Sequence, residues 1–368
     1  MNHFCAKIRY KLGVWAYRII LGKTVGGLPR SSVRSIDEVA YLDWVRCRLK
    51  GDVLIYGPSI QEYHLPKTYP GWFRKSKAFE GKKIFHLANV VAGPHTGLVW
   101  VPGEGILEES VGSLKRMMGW GSVLWESLVP PRPFQTKHPI LPCTPTGYFH
   151  WMFEVLPNTI QALDYFPDAL LLLPHDRPRY IDQSLHASLP EERVRILESN
   201  HPLAVERLVL PQVQVYSGFV DRRDIELLRE RVLGKVEDSC RGERIYVSRK
   251  GARARPLGGT EEAEEYMRSK GFQVLCLEDL DFLDQVRVFS AAETIFAPHG
   301  AGLSNIVWCA EGTTVLEIFP RKYINDCYAR LAVTLKLRYS YLVADADGTE
   351  WGRMPISELK SFVGSLPS

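Results

Sequence analysis

The chain has 368 residues, a formal charge of +4 at pH 7, 45% hydrophobic and 24% charged residues. That length is long for one compact core, so two domains are expected, with the composition of an ordinary soluble globular protein. The mild charge gives no case for a nucleic-acid binder, although it suits an anionic substrate.

Residues 1–80 show no clear periodic pattern. Lys7, Arg9, Lys11 and Arg18 interrupt the apolar residues near the start, so no secretory signal is expected. The apolar run at 12–21 is far short of the about 20 residues that span a bilayer. Residues 7–23 read either as a helix docked on the domain or as a basic amphipathic helix lying on an anionic membrane surface through Trp15 and Tyr17. Short strands are expected at 83–91 and 97–101. Between 148 and 210 helices at 150–166 and 180–189 alternate with strand-like runs at 169–174, 193–197 and 206–210. A charged helix from residue 221 leads to a domain boundary between 236 and 244.

The following segment alternates cleanly. Strands are expected at 244–249, 272–277, 293–297, 313–319 and 339–343. Helices are expected at 260–270, 281–291, 303–310 and 326–335, with Thr260 as a cap and Gly271 as a stop. Such alternation predicts an α/β fold with a parallel, doubly wound sheet, which binds ligands outside the carboxyl ends of its strands. The division is read as residues 1–236, residues 237–345 and a tail at 346–368.

Two clusters carry chemistry. In the first, His299, Gly300, Ala301, Gly302 and Leu303 turn from a strand into a helix. Backbone N–H groups at such a turn suit a phosphate or diphosphate, and glycine lets an anion approach the backbone closely. Glu317, in the next strand, is placed to accept hydrogen bonds from ribose hydroxyls. In the second cluster, His150 and Glu154 stand four apart on a helix and share a face. A histidine held by a carboxylate makes a good general base. The bland alternatives are a packed histidine in a tight turn and a structural His–Glu pair.

His299-Gly300-Ala301-Gly302-Leu303-Ser304-Asn305, with residues 312–320, resembles the signature of glycosyltransferase family 61. Tyr246-Val247-Ser248-Arg249 and Tyr148-Phe149-His150-Trp151 with Glu154 match its other landmarks in order. The resemblance covers roughly residues 140–345. It implies a GT-B fold, with two Rossmann-like domains facing across a cleft. It also implies an inverting hexosyl- or pentosyltransferase that uses a nucleotide-sugar, UDP-linked by expectation, and needs neither metal nor cofactor. Carried over, His299 and the backbone of Gly300 to Leu303 would face the diphosphate. Ser248 and Arg249 would bind the donor, with Arg253 or Arg255 assisting from the loop, and Glu317 would bind ribose. His150 would be the base and Glu154 its orienter, or the reverse. One departure is Gly259-Thr260-Glu261, where family members often carry an Asn-Glu pair.

The acceptor implied is a glycan or lipid-linked glycan, handled in the cytoplasm or at the inner face of the membrane. The seven cysteines form no C-x-x-C pair, which fits a reducing compartment. The pairs Asp279/Asp281 and Asp345/Asp347 imitate a D-x-D metal motif but read as cap and turn residues. No G-x-G-x-x-G opens a helix after a strand and no G-x-S-x-G exists, against an oxidoreductase and a hydrolase. A GT-B-like binding protein without catalysis is the non-enzymatic alternative.

Overall fold

The computed structural model describes residues 33–34, 49–64, 76–79, 81–101, 105–110, 126, 129–212, 218–236, 242–250 and 254–366. The expected helix at 7–23 and Arg253 lie outside these. The fold is mixed α/β, and the chain divides into two compact units. One comprises Met1–Ser59 and Ala78–Ser217; the other comprises Ile60–Lys77 and Gly218–Ser368.

The first unit holds two six-stranded sheets. One runs in the order Ile196–Glu198, Leu170–Leu173, Ile140–Pro142, Leu208–Pro211, Lys82–Leu87, Leu49–Tyr56. Its first four strands are parallel; Lys82–Leu87 runs antiparallel beside them, and Leu49–Tyr56 pairs antiparallel with Lys82–Leu87. Numbered along the chain, the parallel strands stand 3-2-1-4, so the winding reverses beside Ile140–Pro142. That reversal opens a crevice at the strands' carboxyl ends. The second sheet joins Val33–Arg34, Gly105–Leu107, Val99–Val101, Val90–Ala92, Leu203–Val205 and Arg132–Phe134 in mixed orientation. Phe85, Ile140, Leu172 and Leu208 of the first sheet share one core with Val90, Val99 and Leu203 of the second. This unit is therefore only partly Rossmann-like. Three-residue strands set among glycine and proline give too short an alternation for the second sheet to be seen in sequence.

The second unit has the predicted parallel sheet. Its order is Gln273–Leu275, Glu243–Val247, Ala292–Pro298, Thr314–Phe319, Arg338–Val343. Along the chain this is 2-1-3-4-5, with the reversal between Glu243–Val247 and Ala292–Pro298. Both of these strands bury most of their side chains, as a sheet covered on two faces requires. The helix Arg222–Leu233 belongs to this unit, and Arg229 Nη1 donates to the Cys309 carbonyl at 2.8 Å.

Three local expectations change. Gly259, at φ 70°, takes the N-cap position, and Thr260 is the first residue of the helix Thr260–Ser269. The short helix expected at 303–310 is a 3₁₀ helix that begins two residues earlier, Ala301–Trp308. The expected tail contains the helix Ile356–Gly364, with Leu359 fully buried in the core beside Phe296 and Leu316.

Candidate active site

In the first unit the strand Ile140–Pro142 leads through Gly147 into a helical stretch from Tyr148 to Tyr165. It opens with an α-turn, widens to a π-helix over Trp151–Val155 and returns to α over Leu156–Tyr165. Pro157 explains the widening. It brings no N–H to the ladder, and its ring would crowd the carbonyl one turn earlier. Asn158 Nδ2 donates to the Glu154 carbonyl at 2.8 Å and Thr159 Oγ1 to that of Val155 at 2.9 Å, satisfying that turn. Trp151 anchors the stretch by donating to Ser184 Oγ at 2.8 Å.

On this stretch His150 Nδ1 lies 2.7 Å from Glu154 Oε1. A carboxylate can only accept there, so within this pair the ring donates through Nδ1. Both side chains are mostly buried, at 15% and 9% exposed. The pair stands at the reversal of its sheet, where Glu154 lines a small cavity with Pro142 and Pro211.

In the second unit Ser248 and Arg249 follow the strand Glu243–Val247, and His299 follows Ala292–Pro298. They flank that sheet's reversal. The ladder continues through His299, whose N–H donates to the Ile318 carbonyl at 2.8 Å. Arg249 Nη1 donates to the His299 carbonyl, and Nη2 donates to that of Ala254 at 2.9 Å. The guanidinium lies against Gly300, where a Cβ would stand 2.9 Å from Nη1. Gly302 similarly leaves room for Leu277. The two glycines therefore serve the packing of Arg249 and Leu277 as much as any approach by an anion. Ala301 and Gly302 reach the surface, whereas Gly300 and Leu303 are buried. Ser248 donates to Glu264 Oε1 at 2.5 Å and accepts from the Lys250 N–H, so it organises the turn.

Arg255 has φ 53°, a left-handed conformation that costs a bulky residue strain. Its guanidinium lies 4.2 Å from the centroid of Tyr323, and its Nε is buried with no hydrogen-bond partner among the described residues. Burial, and next the charge of Arg255, pull the pKa of Arg249 below the usual arginine value. Arg249, Arg255, Lys250 and Arg353 line a cavity of about 470 Å³ together with Thr260 and Glu261. Arg249 and Arg255, held beside each other, repel, and an anion placed between them would relieve that repulsion. Three carboxylates share this wall, Glu261, Glu262 and Glu264; Glu262 lies 3.5 Å from Arg353, and Glu264 accepts from Ser248 and Arg268.

His299 is buried with its ring among Phe319, Tyr323 and Tyr328. Its Nδ1 pairs with Glu317, whose other carboxylate oxygen accepts from the Tyr339 hydroxyl. Glu317 was expected to bind ribose. Instead it is fully buried, in mid-strand register with Ala297, and offers no accessible oxygen. It is the partner that fixes the His299 ring.

Sequence reasoning missed Tyr323 and Arg353. Tyr323 lies four residues beyond Phe319, outside the carboxyl end of its strand, a position that could have singled it out. Arg353 comes from the segment read as tail. Among the described residues no three His, Cys, Asp or Glu side chains gather as metal ligands. Asp281 stands at the N-cap of Phe282–Ala291 and Asp347 accepts from Thr349 in a turn.

Residues 148–316 match the family model described as Glycosyltransferase 61. No curated protein matches the chain.

Proposed function

Starting from a chain that carries a glycosyltransferase family 61 region, and so from a glycosyltransferase, we propose an inverting transfer from a nucleotide-sugar, with uridine as the nucleoside. The observation that carries this reading is the strained Arg255 beside Arg249, at the reversal of a parallel sheet, in a cavity large enough for a ligand. A diphosphate supplies the negative charge that these guanidinium groups lack, and arginine can meet phosphate oxygens in bidentate fashion. As the sugar–phosphate bond breaks, charge grows on the departing diphosphate. Arg249 and Arg255 stabilise it from fixed positions, without reorganisation at the moment of reaction and without a metal.

In this reading His150 removes the proton of the acceptor hydroxyl through Nε2, and Glu154 holds the ring and stabilises the imidazolium. Attack opposite the departing group inverts the anomeric carbon. The two units are the halves of a GT-B enzyme. Support comes from the candidate residues standing at the winding reversal of a sheet in each unit. The acceptor is a glycan or lipid-linked glycan in the cytoplasm, and the basic segment 7–23 would serve as a peripheral membrane contact. No helix among the described residues is long and apolar enough to cross a membrane.

The test is turnover of a panel of nucleotide-sugars with EDTA present. Transfer with inverted product is expected. Activity that requires an added divalent cation, or a retained anomeric configuration, would overturn the mechanism.

A further inference from the structure

Glu126 is a charged side chain that the chemistry above leaves unused, yet it is only 5% exposed. Its carboxylate accepts from the His95 N–H at 2.9 Å, the Thr96 N–H at 3.2 Å and the Thr96 hydroxyl. Gly93 passes directly over it, since a Cβ there would lie 2.2 Å from Oε2. On the other side of the same turn Thr144 Oγ1 donates to the Thr96 carbonyl at 3.1 Å. Gly97, at φ 66°, makes that approach possible, because its Cβ would lie 2.1 Å from Thr144 Oγ1. The turn from Gly93 to Gly97 is thus clamped between a carboxylate and a hydroxyl.

The clamp leads to the first unit's candidate chemistry. Thr144 lies just beyond the strand Ile140–Pro142, and Gly97, Thr144, Asn158 and Glu154 line one cavity of about 30 Å³. The turn and the carboxylate that holds His150 thus border the same small space. Burial raises the pKa of Glu126, so keeping it ionised there is costly. An apolar residue could fill the space at lower cost, but it could not hold two N–H groups and a hydroxyl.

We propose that Glu126 and Thr144 are positioning residues for the His150–Glu154 pair, acting through the Gly93–Gly97 turn. This rests on the reading of that pair as the proton acceptor. The test uses the full chain with ¹³C-labelled histidine and follows the ring signals of His150 through a pH titration, alongside kcat and donor KM. Glu126→Gln sets an amide N–H₂ against backbone donors, and Thr144→Val removes the hydroxyl. Each is expected to displace the His150 midpoint by about 0.5 unit or more. Each is also expected to lower kcat about tenfold with donor KM unchanged. Thr144→Ser should restore both. An unchanged His150 titration in both variants would overturn the proposal, whatever their melting temperatures. If Glu126→Gln does not fold, the Thr144→Val and Thr144→Ser pair decides. A wild-type protein without transferase turnover would remove the functional reading, while the titration would still decide this one.

Discussion

Arg249 spends one nitrogen on the His299 carbonyl and another on that of Ala254, so its plane is fixed before any ligand arrives. Charge-assisted hydrogen bonds to a diphosphate contribute about 1.5–3 kcal/mol each. Arg249→Ala should therefore weaken uridine diphosphate about 10- to 100-fold by calorimetry. His150→Ala should leave that affinity intact and lower turnover about 100-fold or more in a single-turnover assay. Equal effects of the two variants on binding would contradict the division of roles. Glu317 belongs to a different class. Glu317→Gln turns an N–H₂ towards either His299 or Tyr339 and should cost about 1–3 kcal/mol in urea unfolding. A variant as stable as wild type would mean that the buried pair carries little. Sequence placed Glu317 correctly in a strand, but only the register shows it four residues into that strand, sealed from any ribose.

Elements show why some expectations matched and others did not. The five parallel strands were legible because each is a short, mostly apolar run that alternates with a helix-length segment. The helix cap was misplaced by one residue because Thr260 is a good cap in general, whereas the left-handed backbone at this corner admits glycine. The π-turn was not legible. It arises from Pro157 acting on a helix that must also hold His150 and Glu154 together. The glycine turn was read as an anion cradle, yet Gly300 is small because Arg249 lies against it. A Gly300→Ala variant should consequently displace the guanidinium and weaken uridine diphosphate nearly as much as Arg249→Ala, with the fold kept by circular dichroism. Unchanged affinity would show that the contact is incidental.

At the level of the whole chain, the family region runs from Tyr148 to Leu316, so it begins at the His150 helix and stops one residue before Glu317. Glu126, Tyr323, Tyr339 and Arg353 lie outside it. Motifs therefore located the candidate residues, whereas their packing partners became visible only through folding. Glu126 also makes the stability of the chain depend on pH. Its folded pKa lies above the unfolded value, so its contribution is fully present below the ordinary carboxyl range and is lost as pH rises through the raised value. Unfolding free energies measured across that window should show wild type losing ground to Glu126→Gln as pH increases. A constant difference would contradict the burial assigned to this carboxylate.

The most direct measurement is calorimetric titration of the full chain with uridine diphosphate in EDTA, for wild type and Arg249→Ala. Binding by wild type that is largely lost in the variant is predicted. No binding by wild type, or equal binding by both proteins, would contradict a diphosphate site built on Arg249.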